Sequence, residues 1–287
     1  MIVHLVDGTY ELFRHFYGQR RFNKGVDRPY GAVVGVLQTV LGMIESGDCY
    51  LGVATNHVIE SFRNRLWPGY KTGAGIEPAL LAQFEPLEHA LAAMGVAVWP
   101  MIELEADDAL ASAARIACEE ERVQKVAIWT PDKDLAQCVR ADRVVQIDGR
   151  RKTIRDAAGV REKFGVDPPL IPDLLALTGD AADGYPGIPG IGAKTAAQLV
   201  NRHGPIESFP PQVLRERVAL AVLFKTLATL RTDAPLFLDV ETLRWSGPTK
   251  AFAQWAERMS APRLLERCEK AAGAAGAPPA HPTRQRL

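Results

Sequence analysis

Four cysteines in 287 residues, Cys49, Cys118, Cys138 and Cys268, leave no C-x-x-C pair and no Cys/His constellation. That scarcity argues against zinc and against a disulfide-stapled scaffold, and it is the pattern of reduced cytosolic thiols. Net charge is missing too: 34 basic side chains balance 34 acidic ones. Bulk charge therefore points neither toward nor away from a polyanionic partner, and only local clustering carries information. No run approaches the ~20 apolar residues of a membrane span, so no membrane association is expected. The opening MIVHLVDGTYELF lacks the basic start and long apolar stretch of a secretion signal. No internal repeat is visible. These absences leave a cytoplasmic, monomeric enzyme or binding protein as the expectation.

What is present is globular in kind, with 47% hydrophobic and 24% charged residues. Apolar runs IVHLVD, YLGVAT, VAVWP, KVAIWT and VVQID alternate with GAVVGVLQTVLGMIES, EPALLAQFEPLEHALAAMG and EADDALASAARIACEE, each apolar at helical spacing. The alternation predicts an α/β fold: a mostly parallel central sheet with helices on both faces, over about residues 1–166. From about Asp167 the pattern turns helical, in PPLIPDLLALTGD, AKTAAQLVNRHG and RERVALAVLFKTLATLR, which predicts a helical subdomain over 167–265. The Ala/Gly/Pro-rich end, 272–287, is expected to be a disordered tail.

The acids are placed unevenly. Asp7 closes the first predicted strand, Asp132 and Asp134 follow another, and Glu105, Asp107 and Asp108 open a helix just after a third. Asp180 and Asp183 sit at a helix-to-loop junction further on. Any one of these alone is more simply a helix cap or a turn former. Gathered on one rim of a parallel sheet, they would repel one another without cations, and hard metals such as Mg²⁺ or Mn²⁺ resolve that repulsion. Active sites of such sheets lie at the strands' carboxyl ends. So many carboxylates suggest two ions acting on a phosphoryl group.

Directly after Asp183 comes GYPGIPGIGAKTAAQLV, a Pro/Gly-punctuated turn that opens into a helix. About residues 179–202 thus form a helix–hairpin–helix pattern. Gly187, Gly190 and Gly192 would let backbone approach a phosphate, with Lys194 and Thr195 adding a charge and a hydroxyl. GIGAKT is not a nucleotide-binding P-loop, because Ala193 separates the last glycine from the lysine. A plain helix–helix connector is the competing reading.

LVDG, SFRNRLWPGYKTG, ELEADDALASAA, TPDKDLAQCV and LTGDAADGYPGIPGIGAKTAAQLV occur in the order seen in the 5′ nuclease (flap endonuclease) family. Over residues 1 to about 260 the chain resembles a stand-alone 5′→3′ exonuclease domain of the bacterial DNA polymerase I type. The resemblance implies a PIN-like 5′ nuclease fold, two Mg²⁺ or Mn²⁺ ions, and DNA with 5′ ends, flaps or junctions as substrate. It implies metal binding at Asp7, Glu105, Asp107, Asp108, Asp132, Asp134, Asp180 and Asp183. Tyr70 and Lys71 match the base of the family's helical arch, placed here at about 64–95, and Arg63 matches a basic residue near the scissile phosphate. The same resemblance implies K⁺ at the helix–hairpin–helix turn. Arg14, Arg20, Arg21, Lys24 and Arg28, interleaved with Phe16, Tyr17 and Phe22, would line a DNA path, as would Arg150, Arg151, Lys152 and Arg155. A solvated loop explains either cluster equally well.

Two departures stand out. VATN places Asn56 where the family has a metal-ligand aspartate, so the site is one charge short. After Lys71 no Lys or Arg follows until Arg115, whereas family arches carry a further arginine. A DNA-junction-binding protein that has lost catalysis is therefore the rival expectation. A PIN-type ribonuclease ranks last, since such domains are shorter and lack the helix–hairpin–helix block.

Overall fold

The computed structural model describes residues 1–22 and 28–275, with the side chains of 20–22 and 275 left aside. The expectations placed on Arg20, Arg21, Lys24 and residues 276–287 lie outside the described residues.

Among the described residues six strands form one sheet: β1 (Ile2–Asp7), β2 (Tyr50–Asn56), β3 (Ala97–Met101), β4 (Lys125–Trp129), β5 (Val144–Asp148) and β6 (Thr153–Arg155), in the order β3-β2-β1-β4-β5-β6. Every pairing is parallel except β5 with β6. β1 and β2 are buried almost throughout, as strands covered on both faces must be, which is why they read as unbroken apolar runs. The chain winds outward from β1 to β3, then returns to β4 on the other side of β1. That reversal opens a crevice at the carboxyl ends of β1 and β4.

The first half supplies α1 (Gly8–Phe22), α2 (Gly31–Glu45), α3 (Phe62–Leu66), α4 (Pro78–Leu81), α5 (Phe84–Ala93), α6 (Ala106–Glu119) and α7 (Ala157–Phe164). The second half supplies α8 (Ile171–Thr178), α9 (Ala193–His203), α10 (Pro211–Leu214), α11 (Val218–Ala228), α12 (Phe252–Arg258) and α13 (Pro262–Ala275). One face of the sheet is covered by α1, α2 and α5, around Leu37, Leu41, Val53, Leu87 and Leu91. The other face is covered by α6, through Ala109, Leu110 and Ala113 against Val3, Leu5 and Ile128. A separate core joins Ile171, Leu175, Val200, Phe224 and Leu227 across the helical region, with α8 packed on α11. Among the described residues no helix is long and apolar enough to cross a membrane.

Several elements differ from the sequence reading. EPALLAQFEPLEHALAAMG is not one helix, because Pro86 has no N–H to continue the ladder across Ala82. At the resulting break Gln83 turns inward, and its Oε1 accepts from the Ala32 and Val33 amides at 3.0 and 3.3 Å, satisfying the start of α2. Within the 64–95 stretch matched to the arch, the span 67–83 holds only the four-residue α4 and, as its one Lys or Arg, Lys71. The cluster GRRKTIR is the turn and return strand of the β5–β6 hairpin, with Asp148 Oδ1 accepting from the Arg150 and Arg151 amides. Residues 272–275 continue α13, since alanine is the strongest helix former.

Candidate metal centre and cleft

Strand ends deliver the first acids. Asp7 terminates β1; its Oδ1 accepts from Tyr10 N at 2.8 Å and its Oδ2 from Thr130 Oγ1 at 3.0 Å. Burial, reinforced by the neighbouring Asp132, pushes its carboxyl up to about 7 despite those two donors. Asp132 and Asp134 follow β4 across the switch point, with Asp132 Oδ1 accepting from Asp134 N at 3.0 Å. Burial, followed by the charges of Asp132, Asp183 and Asp180, holds Asp134 well above the usual carboxylate range. Its Oδ1 is buried with no hydrogen-bond partner.

The helical region delivers the rest. α8 stops at Gly179, which takes φ 80°, and the chain turns so that Asp180 and Asp183 point back toward β4. Ligand atoms of Asp134, Asp180 and Asp183 all lie within 4.8 Å of one another. Beside them a cleft of about 430 Å³ is lined by, among others, Asp7, Asn56, Lys71, Asp107, Asp132 and Asp183. Asp183 thus belongs to both groups. The donors are all carboxylate oxygens, one is an orphan, and the carboxyls of Asp7, Asp107, Asp134 and Asp183 are pushed above their ordinary range by burial and mutual repulsion. A hard divalent cation suits such a set, so these residues fit the implied metal.

Glu105 caps α6 reciprocally with Asp108, whose Oδ2 accepts from Glu105 N at 2.9 Å. Half-buried Asp107 is raised by burial and by Asp132 and Asp7. Lys71 Nζ stands 2.7 Å from Glu105 Oε2 and 2.9 Å from Asp183 Oδ1. Burial alone would favour the neutral amine, yet these two carboxylates outweigh it and hold Lys71 protonated. Lys133, which lies between two of the expected ligands in PDKDL, makes a second such contact, 2.7 Å from Asp180 Oδ2. Sequence reasoning passed over it. It also passed over Glu88, a buried acid of α5 that binds Thr55 Oγ1 and His57 Nδ1, each at 2.8 Å, beside Asn56.

Four expectations are corrected by this geometry. Asp108 does not face the cleft; it is wholly buried, and both its oxygens bind Arg63 at 2.7 Å. Arg63 is 1% exposed and cannot approach a phosphate. Ser61 and Asn64 close a capping box around the first turn of α3, which turns Arg63 inward. Tyr70 is a core residue of the helical region, its ring lying 5.6 Å beneath Lys71 Nζ. Gly187 is buried against Thr178 and Gly179, where a Cβ would strike backbone, so its missing side chain serves the turn's own packing. Gly190 (φ 83°) and Gly192 do face open space, and Lys194 and Thr195 at the start of α9 are exposed. Asn56 lines the cleft as expected, but its Oδ1 already accepts from Ala106 N at 2.6 Å, at the start of α6.

An acid-rimmed switch point on a doubly wound sheet, joined to a helix–hairpin–helix, defines the class. Residues 2–165 match the family model of the 5′-3′ exonuclease N-terminal resolvase-like domain, and 166–251 that of the 5′-3′ exonuclease C-terminal SAM fold. The chain belongs to the 5′-3′ exonuclease family, a class of hydrolases. It is 34% identical over 259 residues to DNA polymerase I of Pseudomonas aeruginosa, spanning 83% of this chain but 28% of that protein. It is 30% identical over 263 residues to the 5′-3′ exonuclease of Buchnera aphidicola subsp. Baizongia pistaciae, spanning 85% of this chain and 86% of that one. The chain therefore spans a quarter to a third of its polymerase relatives and most of its exonuclease relatives. The bacteriophage T5 protein crystallised with metal ions shares the fold, with TM-score 0.66 and 18% identity over 93% of this chain and 100% of that one. The same phage flap endonuclease, in a pseudo-enzyme-product complex with DNA and metal ions, gives TM-score 0.61 at 18% identity, over 96% and 100% of the two chains.

Proposed function

We propose that this protein is a metal-dependent 5′ nuclease that hydrolyses DNA phosphodiesters near single-strand/double-strand junctions, at 5′ ends or 5′ flaps. The observation that carries the reading is the convergence of Asp134, Asp180 and Asp183 within 4.8 Å, with an orphaned oxygen, beside the Lys71 cleft. Two Mg²⁺ or Mn²⁺ ions, when bound, would supply Lewis acidity and a water of lowered pKa. Asp134, Asp180 and Asp183 would hold one, and Asp7, Asp107 and Asp132 the other. Lys71 contributes a positive charge fixed by Glu105 and Asp183 at the edge of the cleft, where phosphate charge gathers during cleavage.

At the helix–hairpin–helix, Gly192 precedes α9 without a side-chain cap, so the first amides of α9 point outward beside exposed Lys194 and Thr195. We assign this turn to a phosphate of the duplex, a contact that positions DNA without reading its sequence. Backbone carbonyls of the turn are the place for K⁺. The protein would act as a cytoplasmic monomer.

A 5′-flap duplex incubated with Mg²⁺ tests the reading. Cleavage that leaves a 5′-phosphate and disappears in Asp134→Asn supports it, and an inert wild-type protein overturns it. The engaged oxygen of Asn56 and the short, cation-poor 67–83 span favour one second reading, a junction-binding protein with weakened catalysis. That reading requires tight flap binding in EDTA with no cleavage even in Mn²⁺.

A further inference from the structure

The Arg63 guanidinium joins three parts of the molecule that the cleft needs in register. Nε donates to the Leu227 carbonyl at 2.8 Å and Nη2 to the Thr229 carbonyl at 3.2 Å. Leu227 lies in the last turn of α11 and Thr229 caps it, where helical carbonyls have no partners of their own and the helix dipole favours a cation. The same fork donates to both oxygens of Asp108 at 2.7 Å and, through Nη1, to Glu105 Oε1 at 3.0 Å. Each of the five N–H donors of the guanidinium therefore has an acceptor. Glu105 passes the constraint on, because its other oxygen holds Lys71, and Lys71 holds Asp183.

Asp108 does not depend on Arg63 alone, since it also accepts from the Glu105 and Arg231 amides. A mere countercharge for Asp108 would have no need to reach Glu105 and the end of α11 as well. We propose that Arg63 is a positioning residue: with α11 seated, it fixes Glu105 and through it Lys71, so cation affinity and turnover depend on a side chain that never meets substrate. The proposal rests on the metal-dependent nuclease reading above.

Arg63→Lys keeps the charge but loses the planar fork. Arg63→Met/Asp108→Leu replaces the ion pair by apolar side chains, an exchange that protein interiors accept. Calorimetric titration with Mn²⁺ and steady-state flap cleavage are measured on both variants and on the wild type. Mn²⁺ affinity is expected to fall roughly 10- to 100-fold, the range seen when outer-shell support behind a ligand is lost, here support that reaches Asp183 through Glu105 and Lys71. kcat should fall with it, while KM for the flap stays within about threefold, since no substrate contact is lost. A folded variant with wild-type Mn²⁺ affinity would reduce Arg63 to a countercharge and overturn the proposal. Failure of both variants to fold would overturn it too, by making Arg63 a folding residue. A wild-type protein that binds Mn²⁺ without cutting the flap counts against the nuclease reading alone, and the affinity ratio can still be read.

Discussion

Lys71 is bonded to Asp183 twice: its Nζ lies 2.9 Å from Asp183 Oδ1, and its amide donates to the Asp183 carbonyl, also at 2.9 Å. The segment entering the cleft from α3 is thereby fastened, side chain and backbone, to the turn that leaves α8. Trp67 Nε1 adds a third tie at 3.0 Å to the Gly184 carbonyl. The lysine that faces the cleft is thus tied directly to the acid-bearing turn of the helical region.

Lys71→Met removes the fixed charge and strands two buried carboxylates. We expect kcat to fall about 10²- to 10³-fold, the usual loss when one electrostatic stabiliser is deleted. Flap affinity measured in EDTA should change far less. Equal losses in both would make Lys71 a binding residue instead.

The raised carboxyl of Asp7 gives a pH dependence of definite sign. Its folded value of about 7 exceeds the ordinary aspartate value of 3.8, so between these limits the folded state holds the proton and the unfolded chain has lost it. The contribution of Asp7 to stability of the metal-free protein therefore declines as pH rises from about 4 to about 7. Divalent cations bind only the ionised acids and offset the loss. Saturating Mg²⁺ should raise Tm at about pH 8 by about 5 °C more than it does at about pH 5. A pH-independent increment would sink the assignment of these acids to the metal.

Asn56→Asp preserves the bond to Ala106 N through one carboxylate oxygen and adds the missing charge on the cleft. The Mg²⁺ concentration for half-maximal cleavage should drop by roughly tenfold, as judged by metal titration of the two proteins side by side. Identical titration curves would show that position 56 serves only to cap α6.

The hairpin glycines divide by environment. Gly187→Ala drives a Cβ into the backbone of Thr178 and Gly179 and should cost about 2 kcal/mol or more in thermal unfolding. Gly190→Ala meets open space and incurs only the left-handed backbone, about 1 kcal/mol. Lys194→Ala should leave stability unchanged, weaken duplex binding irrespective of sequence, and reduce the salt slope by about 1. An unaltered salt slope would remove this turn from the DNA path.

Much of the site was legible because its signals are local. Short apolar strands announce themselves by composition, an acid at the end of such a strand must lie on the rim of the sheet, and a Pro/Gly turn between helical stretches marks its own boundaries. Asp7, Asp132, Asp134, Asp180 and Asp183 follow from that reasoning, and the structure brings them together. α1 and β6 do not stand out in the sequence, because α1 mixes polar, aromatic and charged residues and β6 is only three residues long.

Direction was not legible. Asp107 and Asp108 are sequence neighbours, but adjacent helical positions point about 100° apart. Only the seat of α6 on β1, with Arg63 of α3 turned toward it, sends one into the cleft and the other into an ion pair. Arg63 itself reads as a surface cation until α11 arrives from more than 160 residues away with two carbonyls to bind it. Local sequence sets which groups this protein owns and the rim on which they gather. Tertiary structure decided which of them face the cleft and which brace it, because burial and charge pairing depend on neighbours that no local spacing encodes.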